Sequence, residues 1–143
     1  MYIVINLHEK FCLKPDCTNN NYLIYNTNVV FDRAGKVVAR YRKFNLFNEN
    51  HVSITKEPEI STFKTDFGVT FGQFICFDLL FETPTLNLTR NLNITDIIYS
   101  SHWFSELPFL YSVVAQSAWA YASNVNLLSS GYNEPMTRSS GLC

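Results

Sequence analysis

The order of apolar segments confines this chain to a layered α/β architecture. Residues 2–7, Tyr-Ile-Val-Ile-Asn-Leu, read as a buried strand that begins with the chain itself. Residues 23–31 are rich in β-branched and aromatic side chains. Asp32-Arg33-Ala34-Gly35 is a turn signal, and residues 36–42 read as the return arm of a hairpin. A second hairpin is predicted over 59–64 and 69–75, turning near Asp66-Phe67-Gly68. The pattern then changes. A short helix is expected over 79–91, starting after Asp78, and a strand over 96–100. The strongest helix spans 108–124, with Pro108 in its first turn and Leu110, Val113, Val114, Ser117 and Tyr121 at helical spacing. Residues 126–130 close the series as a strand, while 8–22 and 44–58 are polar and read as loops. Hairpins followed by α-β-α-β predict helices packed on a sheet.

At 143 residues the chain can build one core, but not two of ordinary size. With 47% apolar and 16% charged residues it is no disordered segment. A net charge of -1 offers no basic field to nucleic acid or an anionic membrane. No apolar run reaches the roughly 18 residues of a membrane span. The first segment lacks the basic start and small-residue cleavage site of a signal peptide.

Compartment is read from cysteines and sequons. Cys12 and Cys17 flank a turn-rich stretch where a local disulfide is sterically easy. Zinc is the rival reading, but no second pair of ligands has the spacing, and neither metal nor cofactor is expected. Asn87-Leu-Thr and Asn93-Ile-Thr are glycosylation sequons, although an Asn-rich chain also produces them by chance. Together these features point to an oxidising, extracellular setting. Cys143 is left over, with no assigned role.

Cys76 and Lys43 are the residues most able to carry chemistry. Cys76 lies in Phe-Ile-Cys-Phe-Asp, at the junction of an apolar strand and a helix. A helix N-terminus favours a thiolate, and its free amides can hold an oxyanion. An inert core cysteine is the alternative. Lys43 ends a β-rich segment between bulky rings. If buried it needs an anionic partner; if not, it is an ordinary solvated lysine. Glu49 is the acid retained as a candidate from those that follow Lys43. His8, His51 and His102 show no ligand spacing and read as loop or surface residues.

Two stretches now become recognisable. Arg40-Tyr-Arg-Lys-Phe-Asn-Leu-Phe-Asn-Glu49 and Phe74-Ile-Cys-Phe-Asp-Leu-Leu-Phe81 resemble the carbon–nitrogen hydrolase (nitrilase) superfamily, and within it the vanin/biotinidase branch. Lys43 and Cys76 are 33 residues apart (76 − 43), which suits that family. Tyr25–Asp32, Lys56–Ile60 and Gln116–Ala120 add support, and the likeness covers nearly the whole chain.

The resemblance implies part of an αββα sandwich, a mixed β-sheet with helices packed on one face. It also implies a Glu-Lys-Cys triad acting on small-molecule amides, pantetheine-like or biotinyl. Lys43 and Cys76 match the second and third members. Lys43 and the Phe77 backbone N–H would hold the oxyanion, Glu49 would be an auxiliary acid, and Trp103 would line the substrate pocket. Trp103 reads equally as a core aromatic. The first Glu belongs upstream of the opening strand. Glu9, the only Glu before Lys43, has the wrong context. Residues 1–143 are therefore expected to be a partial domain, lacking the Glu-bearing N-terminal part and a C-terminal remainder, and inactive alone. Lys43 and Cys76 are expected at the ends of adjacent strands of one sheet. The branch implies secretion, with membrane contact only through a lipid anchor outside the chain. A catalytically dead binding or structural protein on the same fold is the alternative.

Overall fold

The computed structural model describes residues 1–13, 17 and 21–139. Strands β1 (Ile3–Cys12), β2 (Tyr22–Phe31) and β3 (Val37–Arg42) form an antiparallel sheet in that order. A second sheet has β4 (Ser61–Lys64) antiparallel to β5 (Thr70–Ile75), then β6 (Asp96–Ser101) and β7 (Asn126–Gly131) in parallel. The β2–β3 hairpin has local chemistry to turn it. Asp32 Oδ1 accepts the N–H groups of Ala34 and Lys36 at 2.8 and 2.9 Å, and Gly35 takes φ 77°. Parallel strands need crossovers, and helical segments supply both of them here.

The pleat of the second sheet sorts its residues onto two faces. Gly72, Phe74, Ile97 and Tyr99 face the helices. Phe74 meets Trp119 of α2 (Ser112–Ser123) edge-on at 5.2 Å. A Cβ on Gly72 would lie 3.0 Å from both Ile97 Cδ1 and Leu88 Cδ2, so glycine is what admits this close approach. The opposite face, with Gln73 and Ile75, turns to the three-stranded sheet. The layers are therefore sheet, sheet and helices. The expected helical cover on one face is present, and the strands divide between two sheets as a sandwich requires.

Several local expectations change. The 8–22 loop is shorter, because β1 continues to Cys12, opposite Tyr22. Glu9 is the reason a polar stretch can stay in a strand, since it pairs across the sheet with Arg42. The opening strand is not buried. It is an edge strand, with Ile3, Ile5 and Leu7 partly exposed. The 79–91 helix breaks into a 3-10 turn at Cys76–Leu80, a kinked α1 (Glu82–Leu86) and a π turn at Asn87–Asn91. Pro84 and the extended Thr83 interrupt it. The long helix starts at Ser112, four residues beyond Pro108. Glu106 and Leu110 exchange both backbone hydrogen bonds, at 3.2 and 2.9 Å, which commits Pro108 to a tight turn. Cys12 and Cys17 form a disulfide with Cα atoms 5.0 Å apart. Pro15 and Cys143 lie outside the described residues.

Candidate active site

Cys76 follows β5 and opens the 3-10 turn with φ 49°, in the left-handed region that costs an ordinary residue about 1–2 kcal/mol. Such a conformation persists only where its surroundings fix it. On one side the Ile75 N–H donates to Asp78 Oδ2 at 3.0 Å. On the other, the Tyr99 hydroxyl donates to the Cys76 carbonyl at 3.0 Å. Burial, with Cys76 and Asp78 nearby, pushes the Tyr99 hydroxyl far above its usual range, so it remains a neutral donor. The half-buried thiol, 3.5 Å from the His102 carbonyl, opens on a cleft of about 490 Å³ between the two sheets. Asn6, Asn26, Glu49, Ser101 and His102 line it.

Lys43 follows β3 and is buried. Its ammonium pairs with Glu49, so its anionic partner is that carboxylate. Glu49 also accepts the Asn26 side-chain amide at 2.8 Å and the Phe47 N–H at 3.3 Å. Burial would raise this carboxyl, but the Asn26 amide and Lys43 outweigh it and hold it below the usual range. Glu49 thus joins the buried lysine to the cleft that Cys76 faces.

Lys43 and Cys76 do not end adjacent strands of one sheet. They directly follow β3 and β5, which belong to different sheets. Asp78 links the two segments, accepting the Tyr41 hydroxyl at 2.8 Å and the Asn45 backbone N–H at 2.9 Å. Burial raises its carboxyl above the usual range, against the pull of these donors.

Residues 1–125 match the family model named Carbon-nitrogen hydrolase. The chain belongs to the carbon–nitrogen hydrolase family. Vanin-like protein 1 of Drosophila melanogaster is 53% identical to it over 146 residues, covering 98% of this chain and 26% of that protein. Human pantetheinase is 42% identical over 145 residues, covering 99% and 28%. Among solved structures, Saccharomyces cerevisiae Nit3, of the nitrilase superfamily, superposes with a TM-score of 0.63 at 27% identity, covering 85% of this chain and 41% of that one. The chain spans about a quarter of the length of these curated relatives.

Other expected residues of this carbon–nitrogen hydrolase chain take varied places. Phe77 is second in the 3-10 turn, where N–H groups lack an intrahelical partner, and its ring packs on Phe47 and Phe81. Trp103 is buried in the core, its indole donating to the Leu110 carbonyl at 3.0 Å, yet it also lines a small recess beside Cys76. Glu9 is held by Arg42 first, then Thr27 and Arg40, which take its carboxyl down to about 2. It sits on the face of β1 opposite Val4 and Asn6, which line the cleft. Of the sequons, Asn93 is exposed, while Asn87 has a buried side-chain oxygen. His8 and His51 are exposed and away from the cleft; His102 packs tilted against Phe104 and edge-on against Tyr132 in its wall. Among the described residues no cluster of His, Cys, Asp or Glu could hold a metal, and no helix is long and apolar enough to cross a membrane.

Sequence reasoning missed Asn26, Tyr99 and Asp78. For Asp78 there was a signal. A lone acid inside Phe-Ile-Cys-Phe-Asp-Leu-Leu-Phe must find donors if that run is buried.

Proposed function

We propose that this chain supplies the nucleophile and the lysine of an amidase that hydrolyses linear C–N bonds through a cysteine thioester. The observation that carries this reading is the left-handed elbow at Cys76, which opens on a cleft walled by the acid paired to Lys43. A small amide of the pantetheine type is the substrate class, supported by the likeness to pantetheinase.

A base takes the Cys76 proton and the thiolate attacks the amide carbonyl, forming the C–S bond. Lys43 and the Phe77 N–H stabilise the oxyanion, a contribution of the kind worth about 10²–10³-fold per donor in other enzymes. The C–N bond then breaks, and the amine leaves with the proton held by the base. Water, activated by the same base, cleaves the thioester to release the acid and restore the thiol. Glu49 orients Lys43. The base is a Glu outside residues 1–143, because the two acids best placed by sequence are already committed: Glu9 to arginines and Glu49 to Lys43. These residues are thus a central part of a longer domain. The disulfide supports an extracellular location, and the exposed Asn93 is the better glycan acceptor.

The test expresses the 143-residue chain alone and joined to a Glu-bearing N-terminal half, assayed on a pantetheine-type amide. The short form should give no turnover. The joined form should be active and lose activity with Cys76→Ala. Turnover by the short form alone would place the base among these residues and refute the assignment.

A further inference from the structure

We infer that Asp78 is a positioning residue that fixes the Lys43 segment against the Cys76 elbow across the gap between the two sheets. The inference rests on the reading of Lys43 and Cys76 given above. Asp78 has no exposed surface. Its Oδ2 accepts the Tyr41 hydroxyl at 2.8 Å and the Ile75 N–H at 3.0 Å. Its Oδ1 accepts the backbone N–H and the side-chain amide of Asn45, both at 2.9 Å. A carboxylate offers about four acceptor positions, so this one is filled. The partners flank both chemical groups. Tyr41 and Asn45, which donate, stand two residues either side of Lys43, while the donor Ile75 and the acceptor Asp78 bracket Cys76.

β3 and β5 share no ladder, so strand pairing does not set the distance between the two chemical groups. Asp78 does so through the four hydrogen bonds that its carboxyl group accepts from both segments. Asn45 carries the brace further, donating to the Thr83 carbonyl at 2.8 Å beyond the 3-10 turn. Replacing Asp78 by Asn puts a donor where these donors converge and leaves at least one of them unpaired. The lysine segment and the elbow then move independently.

The experiment measures alkylation of Cys76 by iodoacetamide in the full chain, with Cys143→Ser so that the label reports one thiol. A nearby cation favours the thiolate, so Lys43→Met should slow labelling by roughly tenfold, an ordinary coupling between neighbouring groups. With Asp78→Asn present, the same Lys43→Met change should matter less than about twofold. Tyr41→Phe and Asn45→Ala each remove one or more donors but keep the carboxylate, and should reduce the Lys43 dependence partway. They carry the test if circular dichroism shows that Asp78→Asn does not fold. A lowered melting temperature with the full Lys43 dependence retained would make Asp78 merely structural and overturn the inference. No effect of Lys43→Met with Asp78 intact would overturn the Lys43–Cys76 reading itself, and the inference with it.

Discussion

Ile97 and Tyr99 of β6 have no exposed surface, whereas Ile3, Ile5 and Leu7 of β1 keep 43%, 46% and 38% of theirs. The two strands are of similar apolar character, and their difference is one of neighbours. β6 has β5 and β7 on its flanks and helices on one face. β1 has a strand on one side only, and Ile3, Ile5 and Leu7 on its outer face stay exposed, while Phe11 at its end lies under the Arg42 guanidinium. The elbow that presents Cys76 stands on the enclosed side, where packing can sustain a costly backbone conformation. The other wall of the cleft is the open strand. An apolar run in sequence thus states a need for cover without saying which layer provides it.

Three measurements would break or sharpen this contrast. The largest effect is expected from Phe74→Ala, which empties the contact between the enclosed sheet and Trp119. It should cost about 3–5 kcal/mol in urea unfolding. A loss under about 1 kcal/mol would mean that the covered side is no better packed than the open one.

The second concerns what holds the open side. Glu9 is depressed to about 2 by Arg42, Thr27 and Arg40. A depressed carboxyl contributes stability that is complete above its unfolded value, about 4.5, and lost as pH falls through about 2. Glu9→Gln should therefore cost roughly 1–3 kcal/mol at pH 7, allowing for partial exposure. That gap should narrow below about pH 4.5 and close near pH 2. A gap independent of pH would assign the effect to packing.

The smallest effect is expected from Ile5→Thr, which should change stability by less than about 0.5 kcal/mol. Light scattering should show less self-association, since an uncovered apolar edge strand is a template for pairing. A loss of about 2 kcal/mol or more would show that this face is covered in solution.

Most strands were legible because β-branched and aromatic runs flanked by turn residues leave few alternatives. Two mis-sized elements, a strand and a helix, show what periodicity lacks. Glu9 and Lys10 look like loop, but Arg42, distant in sequence, makes them strand. Pro108 suits a helix start in isolation, yet the Glu106–Leu110 pairing claims its neighbourhood first. In the site, the Lys43 and Cys76 motifs were readable because each is local. Their relation was not, since it runs through Asp78 to residues more than 30 positions away. The assignment of strands to sheets was hidden for the same reason.

The ladder between β1 and β2 runs without a bulge from Ile3 opposite Phe31 to Cys12 opposite Tyr22. Its parity has a chemical meaning. Val4 and Asn6 turn to the cleft, where Asn6 donates to Asn26 and Asn28 at 2.8 and 3.1 Å, while Ile3, Ile5 and Leu7 lie on the opposite face of the strand. A slip of one residue would exchange the faces, placing Ile5 and Leu7 opposite Cys76 and turning Asn6 outward. A strand with so little burial of its own thereby decides whether the nucleophile looks onto carboxamides or onto hydrocarbon. The Cys12–Cys17 disulfide closes the chain just beyond the last pair of that ladder.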